Sequence, residues 1–207
     1  MTSVLSQLAS ALERRDEEPN IALAKQIAAS NDQAAIKELV DALGGKNKDV
    51  VNDSIKVLYE AGGINPSLIA PYADAFIDML KSKNNRLVWG AMTALGTLAP
   101  VNADACTRRR DEIIKATETG SAITQDWGVR VLAAVAAAGD KPSFAFLMKF
   151  LSTCRPKDVP RHAESALPAI TAANRAEFVA VLDKRKTVFK KSELSRVEKV
   201  IKRANSL

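Results

Sequence analysis

The sequence predicts an all-α protein built as a helical solenoid, a row of helix pairs stacked one on the next. Three observations predict it. Aromatic residues make up only 5% of the 207 residues while hydrophobic residues reach 47%; the balance is carried by Ala and Leu, which favour closely packed helices over sheets. One helix pattern is written more than once, as "NRLVWGAMTAL" over residues 85–95 and "DWGVRVLAAV" over residues 126–135. Breakers fall between the patterns, at Gly62-Gly63 with Asn65-Pro66, at Pro100, and at Gly139 with Pro142, where one pair should close and the next open.

In chain order, residues 3–30 should form two helices around Pro19 and cap the first pair. Leu5, Leu8 and Leu12 give an amphipathic stripe without the basic start of a secretory signal. From there each pair has a recognisable second helix. It opens on a large residue and repeats one eight positions on, as in Val50 and Leu58, Leu87 and Leu95, Trp127 and Val135, Val159 and Leu167. Eight residues is a little over two turns, so both members share a face. Small residues between them, such as Ser54 and Ala91, let a neighbouring helix approach. Asp49, Asp126 and Asp158 stand just before three of these patterns as candidate N-caps, and Asn84 and Asn85 lie upstream of the fourth.

The first helices carry apolar pairs four apart: Leu39 and Leu43, Phe76 and Leu80, Leu147 and Leu151, Phe178 and Leu182, with Ile113 and Thr117 the weakest. The connections within pairs are short, which makes the paired helices antiparallel. Pro66 and Pro142 suit first-turn positions, and Pro71 should kink the helix that contains it. A two-helix unit recurring every thirty to forty residues is the signature of a solenoid. The reading is one domain, 1–207, with capping helices in 1–30, the clearest repeats in 31–173 and a divergent basic pair in 174–207.

The second-helix patterns "DVVNDSIKVL", "RLVWGAMTAL", "DWGVRVLAAV" and "DVPRHAESAL", with Pro71, resemble the HEAT-repeat family within the wider armadillo-like class. The resemblance covers residues 31–173 and extends to about 204. It implies a right-handed α-α superhelix of about five helix pairs plus N-terminal capping helices, with the second helices lining a concave face. HEAT units often carry a basic residue just after the first apolar position of the second helix. Val51, Val88, Gly128 and Pro160 stand there, so no continuous arginine ladder is expected.

On such a wall the exposed positions follow the register of the repeat. Asn52, Lys56, Trp89, Arg130 and Arg161 form the candidate partner-binding strip, a mixture that includes the residue types enriched at binding hot spots. Trp127 reads as packing at a core position. His162 reads as a solvated surface histidine, and Arg108-Arg109-Arg110, followed by Asp111-Glu112, as a solvated helix face. Net charge is +6, and residues 183–207 supply all of it. Lys184, Arg185, Lys186, Lys190 and Lys191 are the electrostatic patch there, beside an apolar stripe of Val188, Leu194, Val197 and Ile201. The patch either attracts an anionic partner, such as nucleic-acid phosphate, anionic lipid or an acidic protein, or caps the open end of the solenoid with a polar face.

Cys106 and Cys154 form no C-x-x-C, and His162 is the single histidine, so neither a disulfide framework nor a structural zinc site is expected. A Gly-rich phosphate loop, H-E-x-x-H and G-x-S-x-G are absent from the sequence. No catalytic residue, metal or cofactor is assigned. No apolar run reaches the ~20 residues of a membrane span, and the protein is placed in the cytoplasm. The leading reading is a non-enzymatic scaffold that binds an unidentified protein partner on its concave face, in an oligomeric state the sequence does not fix. The alternative is a nucleic-acid-binding HEAT-like protein. DNA-alkylation-repair glycosylases are similar in length and architecture and use tryptophans and an aspartate on a concave cationic face, a set that Asp126, Trp127 and Arg130 resemble. Duplex DNA binding measured against rising salt separates the two. The scaffold retains little DNA at any salt, whereas a phosphate-binding protein loses affinity steeply.

Overall fold

The computed structural model describes residues 3–207, and every regular element among them is helical. In order these are α1 (Glu18–Ser30), α2 (Gln33–Ala42), α3 (Lys48–Ile64), α4 (Pro66–Ile69), α5 (Ala73–Met79), α6 (Asn85–Leu98), α7 (Ala103–Arg108), α8 (Arg110–Thr119), α9 (Ala122–Ala137), α10 (Lys141–Thr153), α11 (Val159–Ala166), α12 (Arg175–Asp183) and α13 (Lys191–Asn205). One row is made by α1, α3, α6, α9, α11 and α13, each packed against the next. A second row of α2, α5, α8, α10 and α12 packs pairwise onto α3, α6, α9, α11 and α13. The architecture is thus an all-α superhelix of stacked pairs, as the periodicity implies.

Local chemistry explains the boundaries. Asn47, Asn84, Ser121 and Asp140 accept backbone N–H groups at the starts of α3, α6, α9 and α10, satisfying donors that a helix leaves bare. The caps expected at Asp49 and Asp126 are therefore displaced. Asp49 lies in the first turn of α3 and Asp126 inside α9, while Asp158 occupies the N-cap of α11 without a side-chain cap bond. Pro71 interrupts its helix as expected, leaving α4, a 3-10 turn at Ala70–Tyr72, and α5. A second break, at Arg109 with φ −123°, divides α7 from α8.

Residues ahead of Pro19 depart from the expected helix. Residues 3–17 hold one 3-10 turn, Val4–Gln7, followed by irregular chain in which Glu13 takes a φ of 55°. Distant side chains replace the helical ladder here. Glu38 accepts from Val4 N, Asn20 from Ala9 N, and Asp53 from Ser10 N. Once those donors are satisfied by tertiary partners, a helix has little to add.

The register of α9 also differs from the reading above. Leu58, Leu95 and Leu132 are each fully buried and fall at one constant interval. On that interval the counterpart of Leu87 is Thr124, also fully buried, and not Trp127. Ser121 starts α9 about one turn ahead of the position the hydrophobic pattern suggested. Trp127 is therefore half-buried beside α6 instead of pointing into the core.

Helices approach closely, within the second-helix row and between the two rows, where a side chain is missing. A Cβ on Gly96 would meet Trp127 Cε3 at 2.4 Å, and one on Gly128 would meet Thr117 Oγ1 at 2.0 Å. Gly128→Ala should cost roughly 1–3 kcal/mol, the usual effect of overpacking. Gly63→Ala, in the same kind of helix but facing open space, should instead be neutral or stabilise by up to about 1 kcal/mol. Urea unfolding of the two variants beside wild type checks both.

Candidate functional site

The constant interval that aligns Leu58, Leu95 and Leu132 places Lys56, Thr93 and Arg130 in one row across α3, α6 and α9. Asn52, Trp89 and Asp126 form a second row. At the N-terminal end this wall is covered by the chain itself. Lys56, expected on the surface, is only 6% exposed. Its Nζ lies 2.8 Å from Glu17 Oε2 and 2.7 Å from Glu60 Oε1, and 5.0 Å above the Tyr59 ring. Arg86 Nη2 takes the other oxygen of Glu17 at 2.6 Å. Burial alone would lower the Lys56 pKa, but hydrogen bonds to Glu17 and Glu60 outweigh it and raise the value. The Lys56 hydrogen bond in turn holds the Glu17 carboxyl below its usual range. Asn52 is similarly engaged, accepting from Asn84 Nδ2 at 2.8 Å. Trp89 is half-buried, its ring 5.8 Å from that of Tyr59.

Farther along, the wall is open. A groove of about 780 Å³ lies along α6, α9 and α11, with Gly96, Pro100, Ala134, Ala137 and Pro168 among its apolar lining. Arg130, Arg161, Glu164 and Ser165 are its polar members. The guanidinium of Arg130 sits 4.4 Å over the Trp127 ring, an arrangement that holds a cation without neutralising it. Trp127 in turn rests on α6 at Gly96. Among the described residues Arg130 makes no ion pair within 4.0 Å. Arg161 is bonded to Asp126 at 2.8 Å and to Asp158 at 3.2 Å, and Glu164 to Arg196 at 2.9 Å. Of the five strip residues, then, Arg130 and Arg161 meet in one groove, while Asn52, Lys56 and Trp89 belong to the covered half.

Three further assignments change. His162 is 1% exposed, not solvated. Its Nε2 lies 2.9 Å from Asp126 Oδ1, tying α11 to α9, and its ring is 5.3 Å from that of Phe150. The Arg108–Arg110 run is not simply a solvated face. Arg109 reaches Asp78 and Glu112, both at 2.7 Å, and Arg110 reaches Asp140 at 3.0 Å. The hydrogen bond from Arg109 is the main reason the Glu112 carboxyl is held down to about 2. In the C-terminal patch Arg185 points inward, donating to the carbonyls of Leu151 at 2.6 Å and Cys154 at 2.7 Å, where it satisfies the end of α10. Lys186 pairs with Asp183 at 2.7 Å, leaving Lys184, Lys190 and Lys191 as its exposed members without an ion pair among the described residues. Val188 is 54% exposed and outside the apolar stripe, whereas Val197 of the expected stripe is buried with Val200 and Ala204, and Ile201 packs partly buried against the core.

Sequence reasoning missed Glu17, Arg86 and Glu164 as members of the wall. Glu17 and Arg86 are far apart in the chain, and no local pattern marks them as partners. No group of His, Cys, Asp and Glu among the described residues is placed to hold a metal ion, and no helix among them is long and apolar enough to cross a membrane.

His162 supplies a pH test. Burial lowers its pKa against the opposing hydrogen bond that it makes to Asp126, and buried Nδ1 has no partner among the described residues, so the imidazolium would carry an unsatisfied donor. The unfolded chain therefore binds the proton first as pH falls. The contribution is complete above the unfolded value, about 6.5, and is lost as pH drops toward the lower folded value. Urea midpoints compared at neutral and mildly acidic pH should fall for wild type, and His162→Gln should flatten that dependence.

No protein-family model matches the chain, and no curated protein matches it. Solved structures do. A designed armadillo repeat protein for modular peptide recognition is similar over 97% of this chain and 98% of its own, at a TM-score of 0.64 and 14% identity. An engineered protein aligns over 100% and 98% respectively, at 0.59 and 21%. The karyopherin Kap121p, bound to the SUMO protease Ulp1p, is similar over 95% of this chain and 22% of its own, at 0.63 and 14%. At these identities the likeness shows the fold, and that fold is the HEAT/armadillo-like helical solenoid.

Proposed function

We propose that the chain is a non-enzymatic scaffold, acting as one solenoid domain over residues 1–207, that docks a protein partner in the open groove along α6, α9 and α11. The observation that carries this reading is the groove itself: an apolar lining with Arg130 at its edge, a cation held in place and left without a counter-charge among the described residues. An apolar surface with a few fixed polar groups is what peptide docking needs. Designed armadillo repeat proteins of the same fold include one in complex with the peptide (KR)4, which supports a groove on such a solenoid as a peptide site. In this reading Arg130 and Arg161 meet the partner, and Asn52, Lys56 and Trp89 hold the wall that carries them. The exposed Lys184, Lys190 and Lys191 act as the polar end-cap of the stack. A cytoplasmic location fits, since Cys106 and Cys154 are both free thiols.

Peptide selection from a random displayed library tests the proposal. Peptides enriched on wild type should lose at least about tenfold in affinity, ~1.4 kcal/mol, on Ala137→Trp. That change fills the groove from an exposed position and leaves the core alone. Enrichment of no peptide, or equal binding to the filled variant, would overturn the docking site.

A further inference from the structure

We infer that the occupant of this groove is an acidic peptide segment, whose carboxylate is received by Arg130 as the carboxylate of Glu17 is received by Lys56 and Arg86 two repeats earlier. The inference rests on the docking reading above and specifies its ligand. Lys56 and Arg130 hold equivalent places on α3 and α9, each two residues ahead of a fully buried leucine, Leu58 or Leu132. At the first place the chain displays the recognition itself. An irregular segment crosses the wall and delivers a carboxylate to two cations, at 2.8 and 2.6 Å. At the second place the cation is present and its carboxylate is not.

The remaining charges of the groove agree in sign. Asp126 and Asp158 are largely buried and already bonded to Arg161, with His162 on Asp126 and Arg155 on Asp158, so they present little negative charge to a ligand. Glu164 is offset by Arg196. Arg161 is likewise offset by its two carboxylates, so Arg130 sets the outward field, and a basic peptide would meet like charge there. Arg130 is also held in place for the task. Its Cζ lies 4.4 Å over the Trp127 ring, a contact that holds the guanidinium beside the groove without engaging its N–H groups in an ion pair, and a guanidinium can bind a carboxylate through two parallel hydrogen bonds. Helices packed at 8–10 Å put Lys56 and Arg130 about 16–20 Å apart. The carboxylate sites at Lys56 and Arg130 thus occupy separate stations on one wall.

The test uses the full chain and three labelled twelve-residue peptides in which Ala alternates with Glu, Gln or Lys. Fluorescence polarisation is read at about 0.05 M and about 0.15 M salt. The Glu peptide should bind wild type and the other two should not. Arg130→Glu should weaken it at least about tenfold. Lys191→Glu, the same charge change at an exposed position outside the groove lining, should alter binding less than about twofold, which excludes attraction to net charge alone. Thermal melts check that both variants fold. The inference is overturned if the Glu peptide fails to bind at low salt, if the Gln or Lys peptide binds as tightly, or if the two charge reversals weaken binding equally. Library peptides that depend on Ala137 but carry no acidic residue would leave the docking site standing and remove only the assignment of its ligand.

Discussion

No helix pair in this chain can cover its own apolar stripe, and everything else in the structure follows from that constraint. Burial of the fully enclosed Leu58, Leu95 and Leu132 is obtained only when α3, α6 and α9 lie side by side. Close packing of this kind requires missing side chains at the crossings, and Gly90 and Gly96 supply them. The hydrophobic gain from each junction is shared by two repeats, so stability accumulates by neighbours and not around one centre. The two ends are the weak points of such a stack. At one, the irregular residues 9–17 lie over the wall; at the other, α13 presents a basic polar face.

Polar contacts stitch the same junctions. Asn20 with Asp53, Asn52 with Asn84, Asp126 with His162, and Glu164 with Arg196 each link consecutive members of the row. On the opposite row, Arg109 and Arg110 tie α8 to α5 and α10. The charges beside the groove are engaged in such contacts: Arg161 with Asp126 and Asp158, and Glu164 with Arg196. This is why the unpaired guanidinium of Arg130 stands out against its surroundings, and why net charge is a poor guide to the binding surface. Arg185 makes the same point from the other side. It belongs to the most basic stretch of the sequence and is spent on two carbonyls.

The second-helix row was legible because its signal is local: apolar residues on one face, small residues at the crossings, breakers between pairs. Pro71 was legible for the same reason. The register of α9 was not, because Trp127 is more hydrophobic than Thr124 and drew the pattern one turn late. Only the cap at Ser121 shows where the helix begins. Lys56 and His162 were misread as surface groups because their partners, Glu17 and Asp126, lie far away in sequence and are brought together by stacking. A lysine on a predicted helix face carries no mark of a carboxylate arriving from another segment. Arg130 and Arg161 could be assigned to one wall from the repeat alone, but the groove they share could not.

The contact between Gly96 and Trp127 has a consequence for how this surface can change over time. The indole sits where it does because residue 96 has no side chain, and the indole in turn lies under the guanidinium of Arg130. Positions 96, 127 and 130 are therefore bound to drift together or not at all. A lineage that acquired a methyl group at 96 would have to give up the aromatic ring, and with it the support of the arginine, so the ligand preference of the groove is heritable through a residue distinguished by what it lacks.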